Sequence, residues 1–227
     1  MYWEMGAYGR KKKLTVPQSV LIEVSNHDDP FGGTTYEWNK GEYTMKDWLK
    51  HLQDIFDFPQ ILDIWFKENS SEFDVDDIKE AFGNATEFYI EKTGCIIFSQ
   101  MVRQKFFPIE DLTIETENFQ DSKIPPSLLM QNHNYLCIYG ENVVPITLNQ
   151  LLLINSKNIN IESLRITPKQ INKFIKLWQQ GSNPRMEHLR FKYSNIEEVM
   201  NGINHEVIPN NRRRLFKSTN GWRESHY

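Results

Sequence analysis

The 227 residues include 39% hydrophobic and 13% aromatic side chains, enough to fill one core, which excludes wholesale disorder. The 26 basic and 30 acidic residues leave a net charge of −4, so no global basic excess points to nucleic acid and no acidic block points to a solvating tail. Cys95 and Cys137 are the only cysteines, in no metal-like spacing, and apolar runs such as Leu151 to Ile154 fall far short of the roughly 20 residues a membrane span needs.

Along the chain, Val20, Ile22 and Val24 recur at every second position and predict a strand within 14–24. Asn26 to Pro30 is turn chemistry, and Gly32-Gly33 opens a second β-type run, Thr34 to Trp38. Residues 1–43 are therefore expected as an N-terminal β hairpin segment packed on the remainder of the chain. Thr44 is placed to cap a helix whose stripe is Met45, Trp48, Leu49, Leu52, Ile55 and Phe56.

After that helix, short apolar pairs recur. They are Ile64 within Ile61 to Trp65, then Phe88/Ile90, Leu112/Ile114, Leu136/Ile138, Ile159/Ile161 and Leu189/Phe191. Their steps are 24 residues three times, then 23, then 30. Helix signals lie between the marks. Asp74 caps a run to Phe82, Ile96 to Val102 reads as a buried helix, with a strand over Ile96 to Phe98 as the alternative, and Pro125-Pro126 sits where a helix begins. Thr147 with Gln150 and Thr167 with Gln170 fit the Thr-x-x-Gln capping box, and the second opens the clearest helix, with Ile171, Phe174, Ile175 and Trp178 on one stripe and Gly181 as its stop.

A strand-then-helix unit at this period is the spacing of leucine-rich-repeat solenoids, because a lone strand and helix cannot cover their apolar faces and must stack. An ordinary α/β domain with evenly spaced strands would leave the same marks, but regularity over five intervals favours the coil. The expected fold is α/β, a short leucine-rich-repeat-like solenoid over 44–216, with a loose tail from 217 to 227.

In the turn after Trp178, Gly181 can take positive φ, Ser182 and Asn183 can bond free backbone groups, and Pro184 blocks further helix. Arg185 is placed to reach back to helix C-terminal carbonyls. Trp48 and Trp178 complete stripes and are expected in the core. Trp3, Trp38 and Trp222 fall outside stripes and are the better candidates for exposed contacts, with packing under the hairpin as the alternative for Trp38.

The stretch from Thr147 through Phe174 and Trp178 to Leu189, above all F-I-K-L-W-Q-Q-G-S-N-P-R at 174–185, resembles the nematode F-box-associated domain, type 2. The segment T-M-K-D-W-L-K-H-L at 44–52 looks similar to that family as well. The resemblance implies a protein-recognition region that, with an F-box, would bring a protein substrate to an SCF-type ubiquitin ligase. No F-box-like, Leu-Pro-rich helical stretch is recognisable ahead of the first strand, so contact with the ligase's linker subunit is expected only where an F-box is present. The family carries over no catalytic residue.

Nothing in the motifs argues for an enzyme. No Gly-rich phosphate loop, no His-Glu-x-x-His, no Cys-x-x-Cys and no Gly-x-Ser-x-Gly elbow occurs, and Asp76-Asp77 is explained by the helix dipole it opens. No cofactor, metal or catalytic residue is expected. Lys11 to Lys13 and Arg212 to Arg214 with Lys217 offer the alternative of a nucleic-acid-associated protein, although they lack interleaved aromatics for base stacking. The sparse cysteines suit a reducing setting, cytoplasmic or nuclear, and no membrane partner is expected.

If each apolar pair points inward, the residues between and just after point to the concave surface. These are Tyr89, Glu91, Thr113, Glu115, Cys137, Tyr139, Asn160, Glu162, Arg190 and Lys192, the candidate partner-binding set. Its chemistry runs from acidic and aromatic to basic, suited to tyrosine anchors and charge complementarity.

Overall fold

A strand that alternates apolar and polar residues can bury only one face, and repetition of that pattern dictates the architecture seen in the computed structural model. The structure describes residues 2–5, 19–26, 29–39, 41–57, 63–83, 85–140, 146–162, 165–191, 196–208, 213–218 and 221–226, with side chains described over 36–39, 41–55, 57, 63–83, 85–140, 146–162, 165–191 and 196–205. In chain order the elements are β1 (Tyr2–Met5), β2 (Ser19–Asn26), β3 (Asp29–Asn39), α1 (Met45–Phe56), β4 (Asp63–Phe66), α2 (Val75–Phe82), β5 (Glu87–Ile90) and α3 (Ile96–Lys105). Then come β6 (Asp111–Glu115), α4 (Pro126–Leu129), β7 (Tyr135–Tyr139), α5 (Leu148–Leu153), β8 (Asn158–Ile161), α6 (Pro168–Gln179), β9 (His188–Phe191), α7 (Ile196–Met200), β10 (His205–Ile208), β11 (Arg213–Ser218) and β12 (Gly221–His226).

Strands β4 to β9 form a parallel sheet of six strands in sequence order that does not close on itself. β1 adds in parallel beside β4, and β12 adds in parallel beside β9, with β11 and β10 antiparallel beyond it. β2 and β3 pair antiparallel as a separate two-stranded sheet. The stretch 217–227, expected as a tail, thus supplies the end of β11 and the whole of β12. Backbone pairing beside β9 places it there, and pairing between distant segments leaves no mark in local composition.

The apolar pairs fall into register. Ile64, Phe88, Leu112, Leu136, Ile159 and Leu189 are direct partners across the six strands, and so are Phe66, Ile90, Ile114, Ile138, Ile161 and Phe191. All twelve are buried and belong to one continuous core with residues of the helices. Each helix brings a stripe to that core: Val75, Ile78 and Phe82 from α2, Phe98 and Val102 from α3, Leu128 and Leu129 from α4, and Ile171, Phe174, Ile175 and Trp178 from α6. Consecutive helices touch, α1 on α2, α2 on α3, α4 on α5, α5 on α6 and α6 on α7.

Capping explains where the helices start. Thr44, Thr147 and Thr167 each accept the backbone N–H three residues on, and Asp47, Gln150 and Gln170 reciprocate. Asp74 caps α2 by accepting from the Asp76 N–H at 2.8 Å. After α6, Gly181 takes φ +95°. Buried amides join successive strand-and-helix segments. The Asn118 Nδ2 group donates to the Ile90 and Glu91 carbonyls at 3.0 and 2.7 Å, and its Oδ1 accepts from the Ser99 and Thr93 hydroxyls at 2.7 and 3.0 Å.

Several local expectations are corrected or extended. Ile55 is 47% exposed, so the α1 stripe ends before it, and Trp48 and Leu52 turn to a small second cluster with Trp38 and Tyr43. Trp38 is half-buried there. In α3, Ile96, Ile97 and Met101 are exposed, because consecutive helical residues diverge by a third of a turn and only Phe98, Ser99 and Val102 face inward. Asn183 bonds within its own loop, its Oδ1 accepting from the Ser182 hydroxyl at 2.9 Å, and it also reaches beyond the loop: it is buried and its amide donates to the Ile154 carbonyl at 2.9 Å, satisfying the backbone after α5. Arg185 does not reach the end of α6 but donates to the Asn132 carbonyl and to Asn134 Oδ1, both at 3.3 Å.

Candidate recognition face

With the apolar pairs turned to the helices, every other residue of β4 to β9 points to the opposite face of the sheet, where no described helix lies. Two side-chain rows cross this open face in strict register. One row is Asp63, Glu87, Asp111, Tyr135, Asn158 and His188; the other is Trp65, Tyr89, Thr113, Cys137, Asn160 and Arg190. A third begins at the strand ends, with Glu115 opposite Tyr139.

Aromatic and acidic groups gather on β4 to β6. Trp65 and Tyr89 stack at 4.3 Å with a 15° interplanar angle. Trp65 Nε1 donates to Asp63 Oδ2 at 3.0 Å, and Tyr89 OH donates to Glu87 Oε2 at 3.4 Å, so both rings are held by the adjoining acidic row. Lys67 Nζ lies 5.5 Å from the Trp65 ring centroid. Burial, and then the neighbouring Asp111 and Asp63 charges, push the Glu87 carboxyl above its ordinary pKa. Burial also raises Asp111, aided by Glu110 and opposed by the Tyr135 backbone N–H. Like charges facing each other across a sheet resist ionising together.

Toward β7 the face becomes phenolic. Burial, followed by the Glu115 and Glu91 charges, raises the Tyr139 phenol well above its usual range. Tyr135 is raised chiefly by burial. Cys137 is 7% exposed, and burial raises its thiol, so it is a poor nucleophile and a floor residue rather than a contact. Asn160 Nδ2 donates to Cys137 Sγ at 3.3 Å.

The open face gathers most of the sequence-predicted set. Tyr89, Thr113, Cys137, Asn160 and Arg190 are direct row partners, Glu91, Glu115 and Tyr139 sit at the strand ends, and Glu162 follows β8 and is exposed. Lys192 lies outside the described residues. Sequence reasoning missed Trp65, treated only as the end of an apolar run, and the whole row from Asp63 to His188. The signal was present, since a residue two positions before each middle residue shares its face. Trp48 and Trp178 are both buried as expected, Trp48 in the small second cluster and Trp178 in the main core, where its Nε1 donates to the Met186 carbonyl at 3.2 Å. The side chains of Trp3, Trp222, Lys11 to Lys13, Arg212 to Arg214 and Lys217 lie outside the described set. Among the described residues no helix is long and apolar enough to cross a membrane.

The fold is an α/β sheet with one face packed against helices and the other carrying paired aromatic and charged side chains, an arrangement that defines an architecture rather than a particular chemistry. Residues 124–191, from the approach to α4 through β9, match the family described as F-box associated, which bears out the resemblance carried by 147–189. That family is a protein-interaction domain linked to F-box proteins. No curated protein and no solved structure matches the chain.

Proposed function

We propose that the chain is a non-catalytic recognition module, the target-holding part of an SCF-type ubiquitin ligase adaptor, built as a short leucine-rich-repeat-like solenoid with its N-terminal hairpin covering one end. The single observation that carries this reading is the registered open face. Six parallel strands with helices against one side only would leave a broad polar and aromatic surface in water, whereas parallel sheets are ordinarily covered on both faces. The F-box-associated match supports the use of that surface on a protein target. The cytoplasm or nucleus goes with this reading, since Cys95 and Cys137 are free thiols.

Two measurements test it. A photo-crosslinking amino acid placed at Asn160, on the open face, is expected to give discrete protein adducts in cells, and the same group at exposed Gln100 on α3 is not. Adducts from position 100 alone would overturn the assignment of the face. In the second measurement, the chain expressed with an F-box is expected to co-purify with the ligase linker subunit. Failure to recover that subunit would remove the adaptor role while leaving the binding face to the first test.

A further inference from the structure

The open face is not uniform. Along its middle row the side chains are Trp65, Tyr89, Thr113 and Cys137, so side-chain size falls abruptly after Tyr89. Cys137 is buried and Thr113 is half-buried, so the two make a low floor. The Trp65 ring lies flat against one face of Tyr89 and leaves the other face of the phenol turned toward Thr113. On the far side Tyr135 and Tyr139 flank Cys137 along β7. Carboxylates edge the floor on both flanks, Glu87 opposite Asp111 on one side, and Glu91 and Glu115 on the other.

On the reading that this face holds a partner, we infer that the floor over Thr113 receives a positively charged arginine or lysine side chain carried on an extended segment of the partner protein. Three tyrosines and four carboxylates converge on one small neutral residue, and charge complementarity selects the occupant. An anion there would meet four like charges. An apolar side chain would strip water from Glu87 and Asp111 while supplying no counter-charge. A cation answers the carboxylates and lies against phenol faces, an attraction that strengthens as the site loses water. The chain already uses this chemistry at the edge of the same face, where Lys67 lies over Trp65. Arg190 sits three strands from Thr113 in the same row, about 14 Å away at ordinary strand spacing, so the opposite end of the face carries the opposite sign.

The test uses the purified full chain and fluorescein-labelled decapeptides of alternating serine with arginine, with lysine, or with citrulline, which keeps the shape of arginine without its charge. Fluorescence anisotropy at low salt is expected to show binding of the arginine or lysine probe and at least about tenfold weaker binding of the citrulline probe. Thr113→Trp, neutral in charge, fills the floor and is expected to weaken the cationic probe about tenfold or more. Diffuse attraction to acidic residues would leave that variant within twofold of the parent, which overturns the site. Tyr89→Phe is expected to keep affinity and Tyr89→Leu to lose about fivefold, with equal melting temperatures confirming the fold; equal affinities count against the inference. Arg190→Glu is expected not to weaken binding. No binding of either cationic probe would also sink the idea. A partner captured through the Asn160 cross-linker by a segment without arginine or lysine would preserve the recognition reading and overturn the cation site.

Discussion

The two faces of one parallel sheet obey the same alternation but different constraints. On the inner face, twelve aliphatic and phenylalanine side chains from six strands meet in register and are buried. On the outer face, the residues one position away in the same strands span tryptophan, tyrosine, threonine, cysteine, asparagine and arginine. Packing density fixes the first set, because any change of volume is felt by neighbours above and below. Water tolerates the second, so its chemistry is available for recognition. The lesson is that uniformly apolar side chains along one row and variable chemistry along the adjacent row belong to one structural device.

Substitutions at adjacent positions break or sharpen this contrast. Ile114→Ala on the inner face is expected to cost about 2–5 kcal/mol in urea unfolding, while Thr113→Ala beside it stays within about 0.5 kcal/mol. Equal effects would deny that the faces differ. Asn118→Ala leaves the Ile90 and Glu91 carbonyls and the Thr93 and Ser99 hydroxyls without their amide partner, and is expected to cost about 1–3 kcal/mol. Thr167→Ala removes the α6 cap and is expected to cost about 1 kcal/mol.

The smallest effect concerns charge on the outer face. Glu87 and Asp111 have folded-state pKa values above their unfolded ones, so the fold binds more protons than the unfolded chain between those limits. Their ionisation therefore destabilises the fold above the folded pKa, and that penalty vanishes below the unfolded pKa. Asp111→Asn is expected to stabilise the protein at neutral pH by about a few tenths of a kcal/mol, the scale of cross-strand charge pairs, with the gain shrinking as pH falls toward 4. A loss of stability at neutral pH, seen in thermal melts, would show that the row is not repulsive.

Much of this was legible before any coordinates. The apolar pairs marked β4 to β9, and the Thr-x-x-Gln boxes marked the starts of α5 and α6, because both signals are local and repeat a fixed chemistry. The F-I-K-L-W-Q-Q-G-S-N-P-R stretch pointed to the family that the match over 124–191 bears out. Less legible were Asn118 and Asn183, whose amides serve carbonyls 27–29 residues away, since an asparagine in a turn looks the same whether its partner is near or far. Trp65 was hidden for another reason. A tryptophan beside isoleucine and phenylalanine reads as core until the strand's phase is fixed, and then it must face outward.

The sequence by itself determined the phase and period of the strands, the helix starts, and hence which residues share a face, because backbone geometry ties side-chain direction to spacing. Only the tertiary structure decided which strands neighbour one another and in what register. It thereby stacked Tyr89 on Trp65, set Glu87 against Asp111, and put Thr113 between large Tyr89 and small, buried Cys137. Those juxtapositions join residues about 24 positions apart through backbone hydrogen bonds between strands, and such pairing carries no local signature.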